Sequence, residues 1–252
     1  MYHFPTVSLL VTHYNRSSSL ERLLTAFKDL ECHFGEIVVS DDGSKPEHLE
    51  YINTLKDKFR FTLVTTPTNK GLGNNINKGQ DAIRTDYTLY VQEDFVPKKI
   101  FPAHFQNALL HMNERSELDM VRFYAYFKFP YLKPLGDGFS EMQFKLTSPG
   151  YKKFYFYSDH PHLRRTSFFE KFGRYREGIK VEATEYEMMM SVIKNKGQAL
   201  FFEDYNSLFE QKNSSDEPST VRRNIWRENT NPVVIALRHL YRHLKFNYNY
   251  LT

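Results

Sequence analysis

Three short polar stretches each close an apolar run, and each carries groups suited to chemistry. Thr12-His13-Tyr14-Asn15-Arg16 ends the run at 6–12. Asp41-Asp42-Gly43-Ser44 follows 36–40, and Gln92-Glu93-Asp94 follows 87–91. A carboxylate placed there accepts hydrogen bonds from a nucleobase N–H or ribose hydroxyls. The same Asp-Gly-Ser pattern also makes a plain turn with a helix cap. Glu93 and Asp94 repel each other, and a bound cation relieves the repulsion. Oxygen ligands beside a substrate diphosphate suit Mg²⁺ or Mn²⁺.

Further groups lie beyond. Residues 69–79 hold Gly71, Gly73 and Gly79, which allow close backbone approach to a ligand, with Lys70 near phosphate. No G-x-x-x-x-G-K-[ST] phosphate loop is present. Thr184 is placed to cap a helix, and acidic side chains such as Glu185 and Glu187 are favourable in its first turn. One of these glutamates is a candidate general base. Met188 to Met190 reads as core packing. In His160-Pro161-His162 the proline and the missing third ligand argue against zinc, leaving exposed loop histidines or ligand contacts.

The elements that must hold these groups alternate. Strands are expected at 6–12, 36–40, 60–65, 87–91 and 119–126, with helices from Ser18, from Ser44 to Phe59, and at 74–84 and 98–114. Ser18 with Glu21, and Ser44 with Glu47, have capping-box spacing. This order predicts a mostly parallel sheet with helices on both faces, and ligands bind such sheets beyond the carboxyl ends of the strands.

Composition narrows the class. The 252 residues include 40 aromatics, enough buriable area to exclude general disorder. Residues 123–157 hold 13 of them; Phe123 and Tyr126 are expected in strand core, and rings among 151–157 in a ligand groove. No apolar run approaches the roughly 20 residues of a membrane span. No signal peptide is visible and Cys32 is the only cysteine, which together point to the cytoplasm. The net charge of +4 is weak for nucleic-acid binding. Residues 221–252 carry six basic side chains against one acidic. Within them 231–246 has a helical apolar period, read either as packed on the domain or as a basic amphipathic surface for anionic lipid. A soft boundary falls at 214–219.

Taken together the motifs resemble the family 2 glycosyltransferases, which have the GT-A nucleotide-sugar-binding fold. Residues 7–16 are similar to the opening strand and T-x-Y-N-R turn, and 37–44 to the V-V-D-D-G-S segment. Asn69, Gly71, Asn77 and Gly79 fit the N-x-G-x-x-x-x-x-N-x-G pattern. Gln92-Glu93-Asp94 falls at the D-x-D, and 163–175 resembles the R-R-x-x-F-x-x-x-G-G-F stretch. Two departures stand out: Gln92 replaces the first D-x-D aspartate, and Thr184-Glu185 replaces an E-D pair.

The resemblance implies an α/β GT-A domain over 1–213, with a donor half at about 1–97 and an acceptor half at about 98–213. A linker and basic-aromatic helical extension follow at 214–252. It implies inverting transfer from a nucleoside-diphosphate sugar, UDP favoured, to a saccharide or lipid-linked saccharide in polysaccharide biosynthesis. Thr12, Tyr14, Asn15, Arg16, Asp41, Asp42, Lys70, Gly71, Asn77 and Glu93 would hold the donor. Asp94 would hold Mn²⁺ or Mg²⁺, with Glu210 standing in for a late histidine. Glu185 would be the base, and Arg164, His160, His162 and Tyr155 the acceptor contacts. The competing readings are a catalytically impaired nucleotide- or carbohydrate-binding module, a nucleotidyltransferase, for which the G-x-G-x-R loop is missing, and a membrane- or nucleic-acid-binding scaffold.

Overall fold

Strand β1 (Tyr2–His13) is the third strand from one edge of a nine-stranded sheet and the middle of its parallel half. It pairs in parallel with β2 (Cys32–Asp41) on one side and β4 (Tyr87–Gln92) on the other, and β3 (Thr62–Val64) joins β2, also in parallel. Beyond β4 the direction reverses. β9 (His162–Arg165) inserts antiparallel between β4 and β6 (Met120–Arg122). β10 (Ala199–Phe202) runs parallel to β6, and β8 (Phe139–Met142) and β7 (Leu132–Gly136) extend the edge antiparallel. A separate pair joins β5 (Phe95–Pro97) to β11 (Phe209–Gln211). The computed structural model describes residues 1–213, 217 and 231–252. The expected linker at 214–219, Glu217 apart, lies outside the described residues, as do Arg222, Arg223, Arg227 and Glu228.

Alternation explains the apolar runs. Leu9 and Val11 face one core, with α1 (Ser17–Asp29), α2 (Pro46–Phe59) and α4 (Phe101–Glu114). Leu10 faces the other, with α3 (Leu72–Asp81), α5 (Phe168–Phe172), α6 (Val181–Lys194) and α7 (Pro232–Leu251). A strand covered on both faces reads as continuous apolar sequence. Gly79 lets α3 lie close on the sheet, since a Cβ there would stand 2.5 Å from Leu10 Cδ1 and 2.9 Å from Ser40 Cβ. Among the described residues no helix is long and apolar enough to cross a membrane.

Both capping boxes are replaced by other contacts. Ser18 and Ser19 donate their backbone N–H groups to the Glu217 carboxylate at 2.9 and 2.8 Å, so a residue 199 positions away from Ser18 caps α1. Glu21 instead pairs with Lys58. Helix α2 starts at Pro46 after Lys45, and Ser44 bonds Asp41. Helix α6 begins three residues before Thr184, whose hydroxyl donates to the Arg176 carbonyl at 2.7 Å.

The aromatic stretch is mostly core. Phe123, Phe154, Phe156 and Tyr157 are buried, while Tyr155 is half-buried and Tyr151 and Lys152 line a surface groove. Tyr126, expected in strand core, is 66% exposed because β6 ends at Arg122.

Candidate active site

The parallel strands β1, β2 and β4 end at the same edge, which brings their three polar termini together. Asn15 adopts a left-handed φ of 53° and accepts Lys45 N–H at 2.8 Å on its side-chain oxygen, while its own N–H donates to Ser44 Oγ at 2.8 Å. It clamps the β1 turn onto the β2 turn. His13 is buried between them. Its Nε2 accepts the Arg16 N–H at 3.1 Å, so the proton sits on Nδ1, which donates to Asp41 Oδ1 at 2.8 Å. Burial lowers the His13 pKa below its ordinary value despite the Asp41 carboxylate.

Asp41 has no exposed surface. Its Oδ2 accepts Gly43 N and Ser44 N at 3.0 Å each and Thr65 Oγ1 at 2.8 Å. Burial opposes its charge, but bonds from His13, Ser44 and Thr65 outweigh it and hold the pKa well below the carboxylate range. Asp41 therefore builds the turn, a correction to its placement against a donor. Asp42 accepts Lys70 N and Gly71 N at 2.8 and 2.9 Å, pinning the glycine loop, and burial raises its pKa. Asn77 is also turned inward: its amide donates to the Tyr175 carbonyl at 2.9 Å and to Glu177 Oε1 at 2.8 Å. Thr12 is buried with its hydroxyl 3.1 Å from Tyr90 OH. Tyr14 keeps partial exposure and Lys70 is exposed at the same edge.

At the end of β4 the acidic turn meets Arg16. The guanidinium is buried, 3.4 Å from Asp94 Oδ2 and 3.5 Å from Glu93 Oε1, and donates to Asn213 Oδ1 at 2.8 Å. Burial first, then the Asp94 charge, push the Glu93 pKa up to about 8. Arg16 thus already offsets part of the carboxylate repulsion expected from sequence. Asp94 Oδ2 also accepts Gln211 Nε2 at 2.9 Å. Among the described residues, Asp94 Oδ1 is buried and has no hydrogen-bond partner. That orphaned oxygen fits a hard cation held by one protein carboxylate and completed by phosphate oxygens. Among the described residues no group of three or more His, Cys, Asp or Glu side chains forms a metal cage.

Glu210 does not reach this turn. Successive strand residues point to opposite faces, so Gln211 faces Asp94, while Glu210 is 52% exposed and pairs with Lys212 at 3.3 Å. The substitution for a late histidine is corrected accordingly; Gln211 was missed because only charged neighbours were considered.

The acceptor half is joined to the turn by Tyr126. Its hydroxyl donates to Gln211 Oε1 at 2.9 Å, and its ring stands edge-on to His160 at 4.6 Å. Gln211 in turn donates to Asp94, so the Tyr126 hydroxyl is linked to the acidic turn through one side chain. Glu185 is partly exposed on the second turn of α6 and accepts the Asp159 N–H at 3.2 Å on Oε1. His160 stays neutral, its pKa pushed down to about 3 by burial and by Arg122.

Arg164 and His162 have no exposed surface, which corrects their placement as direct acceptor contacts. Both lie on β9, inside the sheet. Arg164 donates to Gln80 Oε1 at 2.8 Å and lies over the Phe169 ring at 4.9 Å. It holds α3 and α5 against the sheet. The half-buried Tyr155 ring packs edge-on to Phe127 at 5.5 Å and lies 5.9 Å from Phe246 of α7.

Asp159, missed in the sequence beside the two histidines, is buried next to Glu185. Tyr157 and Tyr175 hydroxyls donate to its Oδ1 at 2.9 and 3.1 Å, and its Oδ2 is unpartnered. Burial and then Glu185 push its pKa to about 7, against the smaller opposing effect of Arg164. An unfolded aspartate titrates near 3.9. Between about pH 4 and 7 the folded chain thus holds a proton that the unfolded chain has lost, so this contribution to stability declines as pH rises. Asp159→Asn should gain on the wild type between pH 5 and 8 by on the order of a few kcal/mol. Parallel urea melts at those two pH values check this; a constant gap between the proteins counts against it.

Fold and site together define a GT-A sandwich: a parallel half with turns tied around Asp41 and Asp42, an acidic turn at β4, and a second acid, Glu185, on α6 beside Asp159. The chain belongs to glycosyl transferase family 2, whose model matches residues 8–173. It is 26% identical over 105 residues to a poly-beta-1,6-N-acetyl-D-glucosamine synthase of Staphylococcus aureus (strain COL), covering 42% of this chain and 26% of that protein. The match to the Staphylococcus epidermidis synthase is 29% over 90 residues, 36% of this chain and 22% of the relative. The chain thus spans about a quarter of the length of these curated relatives. Among solved structures, S. aureus TarS 1-349 in complex with UDP-GlcNAc has a TM-score of 0.66 at 17% identity, covering 96% of this chain and 73% of that one. The mannosyltransferase PcManGT from Pyrobaculum calidifontis, in complex with GDP-Man and Mn²⁺, has a TM-score of 0.60 at 13% identity, covering 98% and 66%.

Proposed function

We propose that the chain transfers a sugar from a nucleoside-diphosphate sugar to a saccharide acceptor with inversion, in polysaccharide biosynthesis. The observation that carries this reading is the chain of contacts between two acids with separate tasks: Gln211 donates to Asp94 and accepts from Tyr126, whose ring meets His160, the neighbour of Asp159, and the Asp159 N–H donates to Glu185. UDP is favoured as carrier; the TarS complex holds UDP-GlcNAc and the PcManGT complex GDP-Man. Tyr14 offers a ring to the base and Lys70 a charge to the diphosphate. Asp42 and the Gly71 backbone shape the loop between them. Asp94, with Glu93 beside it, would hold Mn²⁺ or Mg²⁺. Such a cation, when bound, neutralises charge developing on the leaving diphosphate.

On the acceptor side Glu185 takes the proton of the attacking hydroxyl. That oxygen bonds to the anomeric carbon from the face opposite the diphosphate, whose C–O bond breaks. Position contributes most of the help. Tyr126, His160 and Tyr155 border the acceptor side, and Arg164 and His162 support it from beneath. The acceptor is a saccharide, free or lipid-linked, met at the cytoplasmic face of a membrane.

A second reading, a binding module without turnover, is favoured by Gln92, which stands where the first acid of the D-x-D would be. A melt series with UDP, GDP and their sugars, with and without Mn²⁺, tests the donor site. Bound ligand at a hundredfold its Kd adds about 2.7 kcal/mol, so UDP with Mn²⁺ should raise Tm by roughly 5–11 °C. No metal-dependent nucleotide shift would sink both readings. A shift without release of free UDP from a UDP-sugar would leave the module.

A further inference from the structure

Helix α7 is held to the domain by one face only. Phe246 is buried against Phe154 and Tyr186, with ring centroids at 5.6 and 5.1 Å, and Asn249 donates to Tyr186 OH at 2.7 Å. Leu237, Leu240, Tyr241, Leu244, Tyr248 and Leu251 are all exposed. At 3.6 residues per turn these six fall within an arc of about 100°, opposite Phe246. The helix spans 20 residues, and no acidic side chain occurs among them. Arg238 and Lys245 project along one border of the stripe, and Arg242 lies between that border and the domain.

We propose that this stripe docks α7 on an anionic bilayer surface. The charge pattern selects that occupant. Leucines and tyrosines on one arc with only basic side chains at the border are what an interfacial helix presents to acyl chains and anionic headgroups. A second copy of the helix would bring like charges together with no acid on either helix to meet them. The stripe adjoins an open groove of about 470 Å³ between α7 and the turn at 149–152, with Leu240 and Lys152 in its walls. The proposal rests on the helix and not on the donor-site reading. It does have a consequence for that reading: Tyr186 contacts Phe246 and is the neighbour of Glu185, so a docked α7 sets the acceptor side close to the bilayer.

The test is flotation of the full chain with phosphatidylcholine vesicles, with and without roughly 30% phosphatidylglycerol. At least a tenfold preference for the anionic vesicles, weakened by salt, is expected on the order of what two or three basic side chains supply. Leu240 and Leu244 are 54% and 61% exposed, so Leu240→Ser with Leu244→Ser should leave the melting curve intact. That double variant should lose roughly tenfold or more in binding. Arg238→Gln with Lys245→Gln keeps the apolar stripe and should lower binding to the anionic vesicles alone. Equal partition to neutral and anionic vesicles, or undiminished binding by the serine variant, overturns the proposal. So does a wild-type dimer that ignores vesicles and dissociates in the serine variant, which would assign the stripe to a second copy.

Discussion

Asp94→Ala and Asp94→Asn are each expected to lower sugar transfer by about two to three orders of magnitude, the range seen when charge stabilisation at a leaving group is removed. Neither should unfold the chain. Asp94 sits on a short turn whose backbone is held from just past β11, where Lys212 N–H donates to the Asp94 carbonyl at 2.7 Å. Asparagine keeps the volume and an acceptor for Gln211 Nε2, and it removes only the charge and the unpartnered Oδ1. Wild type and Asn variant therefore differ in the one property assigned to a cation. The readout is transfer rate against Mn²⁺ concentration, with the UDP melt alongside. The expected result is nucleotide stabilisation that no longer responds to metal. If Asp94→Asn transfers within tenfold of wild type, with the same metal response, Asp94 does not hold the cation. Arg16 would then become the principal charge facing the diphosphate.

The parts of the fold legible in the sequence are those where burial writes a pattern. Strand β1 reads as a strand because Leu9 and Leu10 are both buried, on opposite faces. The same logic placed β2 and β4, and with them the three polar termini. β9 was not legible as a strand. It contains His162, Arg164 and Arg165, and charged residues count against a central strand. The structure buries Arg164 by surrounding it with Gln80, Tyr175 and aromatic faces, partners that come together only in three dimensions. Long-range contacts hide the caps in the same way. Ser18 and Glu21 have the spacing of a capping box, yet Glu217 delivers a full carboxylate to the same amides, and no local rule sees across that distance.

The site shows a similar division. Motif residues mark the place, but many of them build it instead of facing it. His13, Asn15, Asp41 and Asn77 spend their polar groups on one another and on neighbouring turns, as buried polar atoms must. What remains open to a ligand is a smaller set, including Tyr14, Lys70, Tyr126 and Glu185. Tyr126 escaped notice because an aromatic after a strand reads as core. Only the early end of β6 and its bond to Gln211 turn it toward the acids.

Glu185→Gln is the sharper test of chemistry. Glutamine preserves the acceptor for the Asp159 N–H and the length of the side chain, so the geometry at the start of α6 should persist. What disappears is the ability to take a proton. A positioned general base is worth roughly 10²–10⁴ in rate, and kcat should fall by that amount. The donor KM and the metal-dependent UDP shift should stay within about twofold, since the base acts after the donor is bound and enters the rate of the chemical step. Glu187 supplies the control. It lies two residues further along the same helix, and its carboxylate pairs with Arg176 at 2.9 Å on an exposed surface. Glu187→Gln should therefore transfer at the wild-type rate. Near-normal turnover by Glu185→Gln, combined with loss in Glu187→Gln, would reverse the assignment. Near-normal turnover by both would move the base to Asp159, whose unpartnered Oδ2 is the other buried carboxylate oxygen on the acceptor side. The two carboxylates are also separable by pH. Asp159 holds a proton up to about pH 7, burial and the Glu185 charge both favouring the neutral form. A base that must be ionised to act would then work poorly from that position at neutral pH and improve above it. Activity already high at pH 7 would therefore count against Asp159 as the base.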